Sequence, residues 1–193
     1  MAAWIEYLAV ATGIGYALLA VRHDRRAWIF GAVSSGLLAW LAARAPLPLQ
    51  SGLQTFYVAM AVYGYRQWSR AAPAAGTPIH RWPWYAHLLA LGGILAVTLG
   101  LAPWLAFSGA GDWPRLDAAV TCASLLATWM TARSVLENWL YWFAVNAASM
   151  FLYGAQGLVF VAGLYAVYFL IAIFGWRQWW SRHRAAAAQP TAR

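Results

Sequence analysis

The sequence predicts an all-α membrane protein, with seven transmembrane helices arranged as two parallel three-helix repeats joined by one helix (3+1+3). Three observations carry that prediction. The chain is 63% hydrophobic and only 9% charged over 193 residues, whereas a soluble domain has about 25% charged and 45–50% apolar residues. Apolar runs of bilayer length recur along it. It also matches itself when shifted by 111 residues.

A span needs about 20 apolar residues, and seven stretches qualify. The first, 4–21, ends at the basic run RHDRR. The second, 27–43, ends at RAPLPLQ. The third, 51–68, is followed by a polar, Pro/Gly-rich stretch, and the fourth, 82–107, ends at SGAGDWPR. The fifth, 116–132, is diluted by Thr121, Ser124, Thr128 and Thr131. The sixth is 138–153, and the seventh, 158–180, precedes SRHRAAAAQPTAR. The organisation is then a first repeat over 4–68, a linking helix over 82–107, a second repeat over 115–180, and a tail over 181–193 with little reason to be ordered.

All 13 basic residues are Arg. Eleven fall on one side of this topology; Arg44 and Arg115 fall on the other. By the positive-inside rule the arginine-rich side is cytoplasmic. The N-terminus is then outside and the C-terminus inside. Topology thus accounts for the net charge of +8, and no nucleic-acid partner is expected. The start, MAAWIEYLAV, has neither a basic n-region nor an A-x-A site, so a cleaved signal peptide is not expected. A lone cysteine, Cys122, excludes an internal disulfide and a cysteine-based zinc site.

In the 111-residue self-match YGYRQW at 63–68 lands on FGWRQW at 174–179. Without a gap, Arg22 lands on Arg133, Trp28 on Trp139, Gly52 on Gly163 and Tyr57 on Tyr168. Four crossings separate equivalent points, so the repeats run in the same direction. Parallel repeats are a transporter architecture, with the substrate near the midplane between them. The RQW ends, Arg66–Trp68 and Arg177–Trp179, are expected to be interfacial anchors, as are Trp82, Trp104 and Trp180.

The polar groups expected between the repeats lie on spans 2, 3, 6 and 7. Trp139, Trp142 and Asn146 share one helical face. Gln54 and Tyr57 share another, with Gln50 one turn back. Tyr165 and Tyr168 are their repeat equivalents, and Trp28 is the equivalent of Trp139. Where span 6 has Trp142 and Asn146, span 2 has Gly31 and Ser35, so one repeat supplies bulk and the other leaves room. A mid-span Asn commonly serves as helix–helix glue; two neighbouring indoles favour a ligand role for Asn146.

Ionisable residues are almost absent from the spans. Glu6 and Glu137 lie at span ends, and of the four histidines only His87 falls within a span. Nothing resembles a buried proton relay, and no P-loop, nucleophile elbow or HExxH motif occurs. The sequence argues for a uniporter and not an enzyme, with no cofactor and no metal. A haem- or quinone-handling membrane subunit would need paired axial histidines. Stacked indoles favour a flat, cationic aromatic ligand, since a cation over Trp gains about 0.5–2 kcal/mol. Asn and Gln both donate and accept, as a carboxamide or ribose requires. No mid-membrane cation stands ready for a phosphate, so a nucleoside-like vitamin fits better than a nucleotide.

At three stretches the chain resembles the PnuC family of bacterial vitamin transporters: ENWLYWFAVN at 137–146, GLVFVAGLYAVYFLIAIFGWRQW at 157–179 and LQTFYVAMAVYGYRQW at 53–68. The resemblance implies a fold similar to sugar-transporting SWEETs. It implies facilitated diffusion of nicotinamide riboside, an NAD precursor, across the bacterial inner membrane, with trapping by a cytoplasmic kinase and assembly as homotrimers in the lipid bilayer. Relatives on the same fold carry thiamine or riboflavin.

Overall fold

The computed structural model describes residues 3–44, 48–70, 78–107 and 113–188. Seven helices run through them: α1 (Ala3–Val21), α2 (Arg26–Arg44), α3 (Pro48–Ser69), α4 (Trp84–Phe107), α5 (Pro114–Ala132), α6 (Asn138–Ala155) and α7 (Val159–Ala188). Each has at least 18 residues, hence about 27 Å or more at 1.5 Å per residue. That is close to the thickness of a bilayer's hydrocarbon core.

Helix starts and stops follow local chemistry. Asp24 accepts the Arg26 N–H at 2.8 Å and opens α2. Pro114 opens α5, where its missing N–H is no loss. Gly157, at φ +74°, turns the chain from α6 into α7. By length and hydropathy alone, Trp4–Val21, Arg26–Arg44 and Val159–Ala188 can cross a membrane. Within their apolar runs α3 carries Gln54 and Tyr57, α5 carries Thr128, and α6 carries Asn146. Large side chains such as Leu89, Val159 and Phe160 point outward, as lipid-facing residues do.

Within the first repeat α2 packs on α1 and α3; within the second, α6 packs on α5 and α7. Across the repeats α1 meets α7, and α5 meets α3. These two contacts interchange under the 111-residue shift, so a pseudo-two-fold axis runs between the repeats. Around it the correspondence extends to single atoms. The Trp68 indole N–H donates to the Ala132 carbonyl at 3.2 Å. Its equivalent, Trp179, donates to the Ala20 and Val21 carbonyls at 3.0 and 3.2 Å. Each repeat's last helix thus donates to carbonyls at the C-terminus of the other repeat's first helix, where intrahelical partners run out.

This corrects the expectation for the RQW ends. Trp68 and Trp179 are not interfacial anchors; they are buried and tie the repeats together. The tail also differs from expectation, because α7 continues to Ala188. There Arg182 donates to the Arg22 carbonyl at 2.7 Å, and His183 lies 2.9 Å from the Ile79 carbonyl. The side chains of Gln50 and Trp104, and residues 189–193, lie outside what is described.

The α1–α2 and α5–α6 turns meet on the axis. His23 and Ser134 are equivalent under the shift, and both are non-glycine residues with left-handed backbones, at φ 56° and 57°. They hydrogen-bond through Nε2 and Oγ at 2.9 Å. Burial first, and the Arg182 guanidinium second, push the His23 pKa down to about 4 from its ordinary 6.5. Beside this pair the segment before α4 docks on the second turn. The His80 backbone N–H donates to the Ser134 carbonyl at 3.2 Å, and the His80 carbonyl accepts the Leu136 N–H at 2.8 Å. Arg81 pairs with the buried Glu137 at 2.8 Å, which also accepts the Trp82 N–H at 3.2 Å. These contacts gather the first turn, the linker, the second turn and the end of α7 at one arginine-rich end. Helices α1 and α5 therefore finish at the same end, and the repeats are parallel.

Candidate functional site

A cavity of about 250 Å³ lies between the repeats. All eight residues singled out in the sequence line it: Trp28, Gln54, Tyr57, Trp139, Trp142, Asn146, Tyr165 and Tyr168. Six of the seven helices contribute, each with its small or polar face. No charged side chain is in the lining among the described residues.

The end nearest the two turns is closed by a symmetric aromatic block. Trp28 packs where Gly64 has no side chain; a Cβ there would stand 2.2 Å from the indole. Trp139 does the same against Gly175, with a clearance of 2.5 Å. Gly64 and Gly175 are themselves 111 residues apart. Trp28 meets Trp68 edge to face at 5.3 Å, and Trp139 meets Trp179 at 5.6 Å. His23 sits between Trp68 and Trp179, at 4.3 and 4.7 Å. Trp28 and Trp139 are thus wedged side chains that floor the cavity. Neither indole N–H has a partner among the described residues.

Trp142 stands one turn further from the floor and is held by a chain of hydrogen bonds. Its indole N–H donates to the Thr131 hydroxyl at 3.2 Å. That hydroxyl shares its own proton between the Ala127 carbonyl at 2.8 Å and Asn138 Oδ1 at 3.0 Å. Asn138 in turn donates to the Val135 carbonyl at 2.6 Å. A ring held this way keeps its orientation when the cavity is empty, which lowers the ordering cost of binding.

Asn146 and Gln54 are buried, at 4% and 7% exposure, and no described hydrogen bond engages either carboxamide. Each has unspent donors and acceptors beside the cavity. The tyrosines are more committed. Tyr57 shares a 2.8 Å hydrogen bond with Ser124, joining α3 to α5. Tyr165 stacks on Tyr153 at 5.2 Å and 10°. Tyr168 lies close to α1, where a Cβ on Gly13 would be 2.8 Å from its hydroxyl.

The structure adds residues that sequence reading did not place here. Thr128 and Thr131 line the cavity from α5, although their side chains looked like mere dilution of an apolar span. Their three-residue spacing on one face was the available signal. Tyr16, Ser34 and Gly13 join them from the first repeat. His87 packs away from the cavity, with Nδ1 3.1 Å from the Tyr141 hydroxyl.

A family model described as nicotinamide mononucleotide transporter matches residues 3–181. The riboflavin/roseoflavin transporter RibM of Streptomyces davaonensis is 27% identical over 181 residues, covering 89% of this chain and 83% of its own. The nicotinamide riboside transporter PnuC of Escherichia coli is 23% identical over 202 residues, covering 91% and 84%. A crystal structure of the vitamin B3 transporter PnuC superposes with a TM-score of 0.75 at 19% identity, covering 94% of this chain and 83% of that one. The superposition shows the same fold. With a family model matching nearly its whole length, the chain belongs to the nicotinamide mononucleotide transporter family of multi-pass membrane vitamin transporters.

Proposed function

We propose that the protein is a uniporter that imports nicotinamide riboside across the bacterial inner membrane by facilitated diffusion, for NAD synthesis. The observation that carries this reading is the cavity lining: indoles, two buried carboxamides and phenols, with no charged side chain among the described residues. A pyridinium over Trp142 gains cation–π attraction. Asn146 and Gln54 match a carboxamide and ribose hydroxyls. A phosphate would lose its water with no cation to meet it, at a cost of several kcal/mol. The family's mononucleotide label therefore fits this cavity less well than the dephosphorylated nucleoside. The Escherichia coli relative named for nicotinamide riboside supports the same choice.

The arginine-rich end faces the cytoplasm on this reading, and a kinase there traps the riboside as its phosphate. Among the described residues no carboxylate or histidine lines the cavity, which supports uniport. Assembly as a homotrimer belongs to the same proposal.

Riboflavin is the second reading, favoured by the 27% identity to the Streptomyces davaonensis protein. The cavity, at about 250 Å³, lies just below the roughly 300–1,000 Å³ of drug-sized pockets, which suits one aromatic ring better than three. Calorimetric titration of the purified protein with nicotinamide riboside, riboflavin and thiamine separates them. Riboside binding alone, near 1 μM or about −8 kcal/mol, is expected. Riboflavin or thiamine binding alone moves the substrate and leaves the site in place.

A further inference from the structure

One wall of the cavity belongs to a residue outside the Trp–Trp–Asn face. Tyr16 on α1 lines it, and its hydroxyl is buried without a hydrogen-bond partner among the described residues. Buried hydroxyls are normally paired. This one lies at the edge of a ligand-sized cavity with almost no accessible surface of its own, so a ligand completes it after a small shift of the neighbouring side chains.

The ring is held in place. It lies over Gly31, where a Cβ would stand 3.0 Å from its Cδ2. It also meets Trp28 edge to face, with centroids 5.6 Å apart at 62°. The space that Gly31 leaves in the first repeat is therefore occupied.

The internal repeat gives this arrangement its meaning. Under the 111-residue shift Gly31 corresponds to Trp142, and Tyr16 corresponds to Ala127. Each repeat thus places one large ring and one small residue on its first pair of helices, in opposite order. In the first repeat the ring comes from α1 and the small residue from α2. In the second the small residue comes from α5 and the ring from α6.

We propose that Tyr16 is a substrate-contacting, specificity-determining residue. Its ring is the counterpart of Trp142 on the opposite side of a flat ligand, and its hydroxyl hydrogen-bonds a neutral polar substituent of that ligand. The inference rests on the reading of the cavity as a nicotinamide riboside site. It adds the first repeat as a binding partner where sequence symmetry shows only Gly31.

The test compares full-length wild type, Tyr16→Phe and Tyr16→Leu by thermal unfolding without ligand and by calorimetric titration with nicotinamide riboside. Tyr16→Phe keeps the ring and removes only the unpaired hydroxyl. Its unfolding midpoint is expected to equal or exceed that of wild type, while riboside binds about fivefold more weakly. Tyr16→Leu is expected to weaken binding further, by tenfold or more. Unchanged affinity in Tyr16→Phe, or a lowered unfolding midpoint, makes Tyr16 a packing residue and overturns the proposal while the site reading stands. Failure of wild type to bind the riboside removes the site reading, and this inference with it.

Discussion

At the scale of the residue, the cavity depends on side chains whose polar atoms are held or left open in distinct ways. Trp142 is positioned through Thr131 and Asn138, while Asn146 and Gln54 are buried with no hydrogen bond among the described residues. Trp142→Ala is expected to remove measurable riboside binding while the protein still reaches the membrane and elutes as folded protein; retained binding takes Trp142 out of the site. Thr131→Val deletes the acceptor of the Trp142 indole, together with the hydroxyl's own bonds to the Ala127 carbonyl and Asn138 Oδ1. It is expected to weaken binding about tenfold or less, in line with one neutral hydrogen bond of about 0.5–1.5 kcal/mol. Much of this was legible beforehand, because Trp139, Trp142 and Asn146 repeat at helical spacing and polar residues are conspicuous in an apolar span. Tyr16 was not legible. In GIGYALLA it is one aromatic residue among small and aliphatic ones, and its importance comes from a glycine on another helix.

At the scale of the element, two glycines, one on the last helix of each repeat, admit the floor tryptophans. Gly64 gives Trp28 its place and Gly175 gives Trp139 its place. A methyl at either point collides with a wedged indole that has no free direction. Gly64→Ala or Gly175→Ala is expected to cost about 1–3 kcal/mol as overpacking. That corresponds to a drop of about 3–10 °C in the unfolding midpoint, read by thermal denaturation in detergent. Unchanged midpoints would show that the Trp–Gly contact is loose. The helices themselves were readable from hydropathy and from the arginine runs between them. The role of Trp68 and Trp179 was not. Tryptophan beside arginine at a span end has the composition of an interfacial anchor, and only the packing of α1 on α7 and α3 on α5 draws both indoles inside.

At the scale of the whole molecule, the repeats meet through His23 and Ser134 at the axis. The depressed pKa of His23 gives this contact a pH signature. The unfolded chain takes up the proton near pH 6.5 and the folded chain only near pH 4. The stability that neutral His23 contributes is therefore complete above pH 6.5 and is lost as the pH falls from there to about 4. Wild type is expected to lose unfolding midpoint across that window, and His23→Gln to be flatter there; parallel curves would show that His23 does not report on the interface. The two-repeat architecture was legible from a single ungapped offset. That offset also pairs residue 23 with residue 134, but neither is the Gly or Asn that usually marks a left-handed turn, so the contact was silent in the sequence. The Arg81–Glu137 clamp was equally silent, since 56 residues separate its partners.

On the proposed function, nicotinamide riboside crosses the membrane through this cavity without an energy source. Uptake of labelled nicotinamide riboside into proteoliposomes, with no ion gradient and no nucleotide, tests it directly. The expected result is entry that stops at equal concentrations inside and outside, is competed by unlabelled riboside, and is lost in Trp142→Ala. No entry until a sodium or proton gradient is imposed, or entry that Trp142→Ala leaves unchanged, would contradict it.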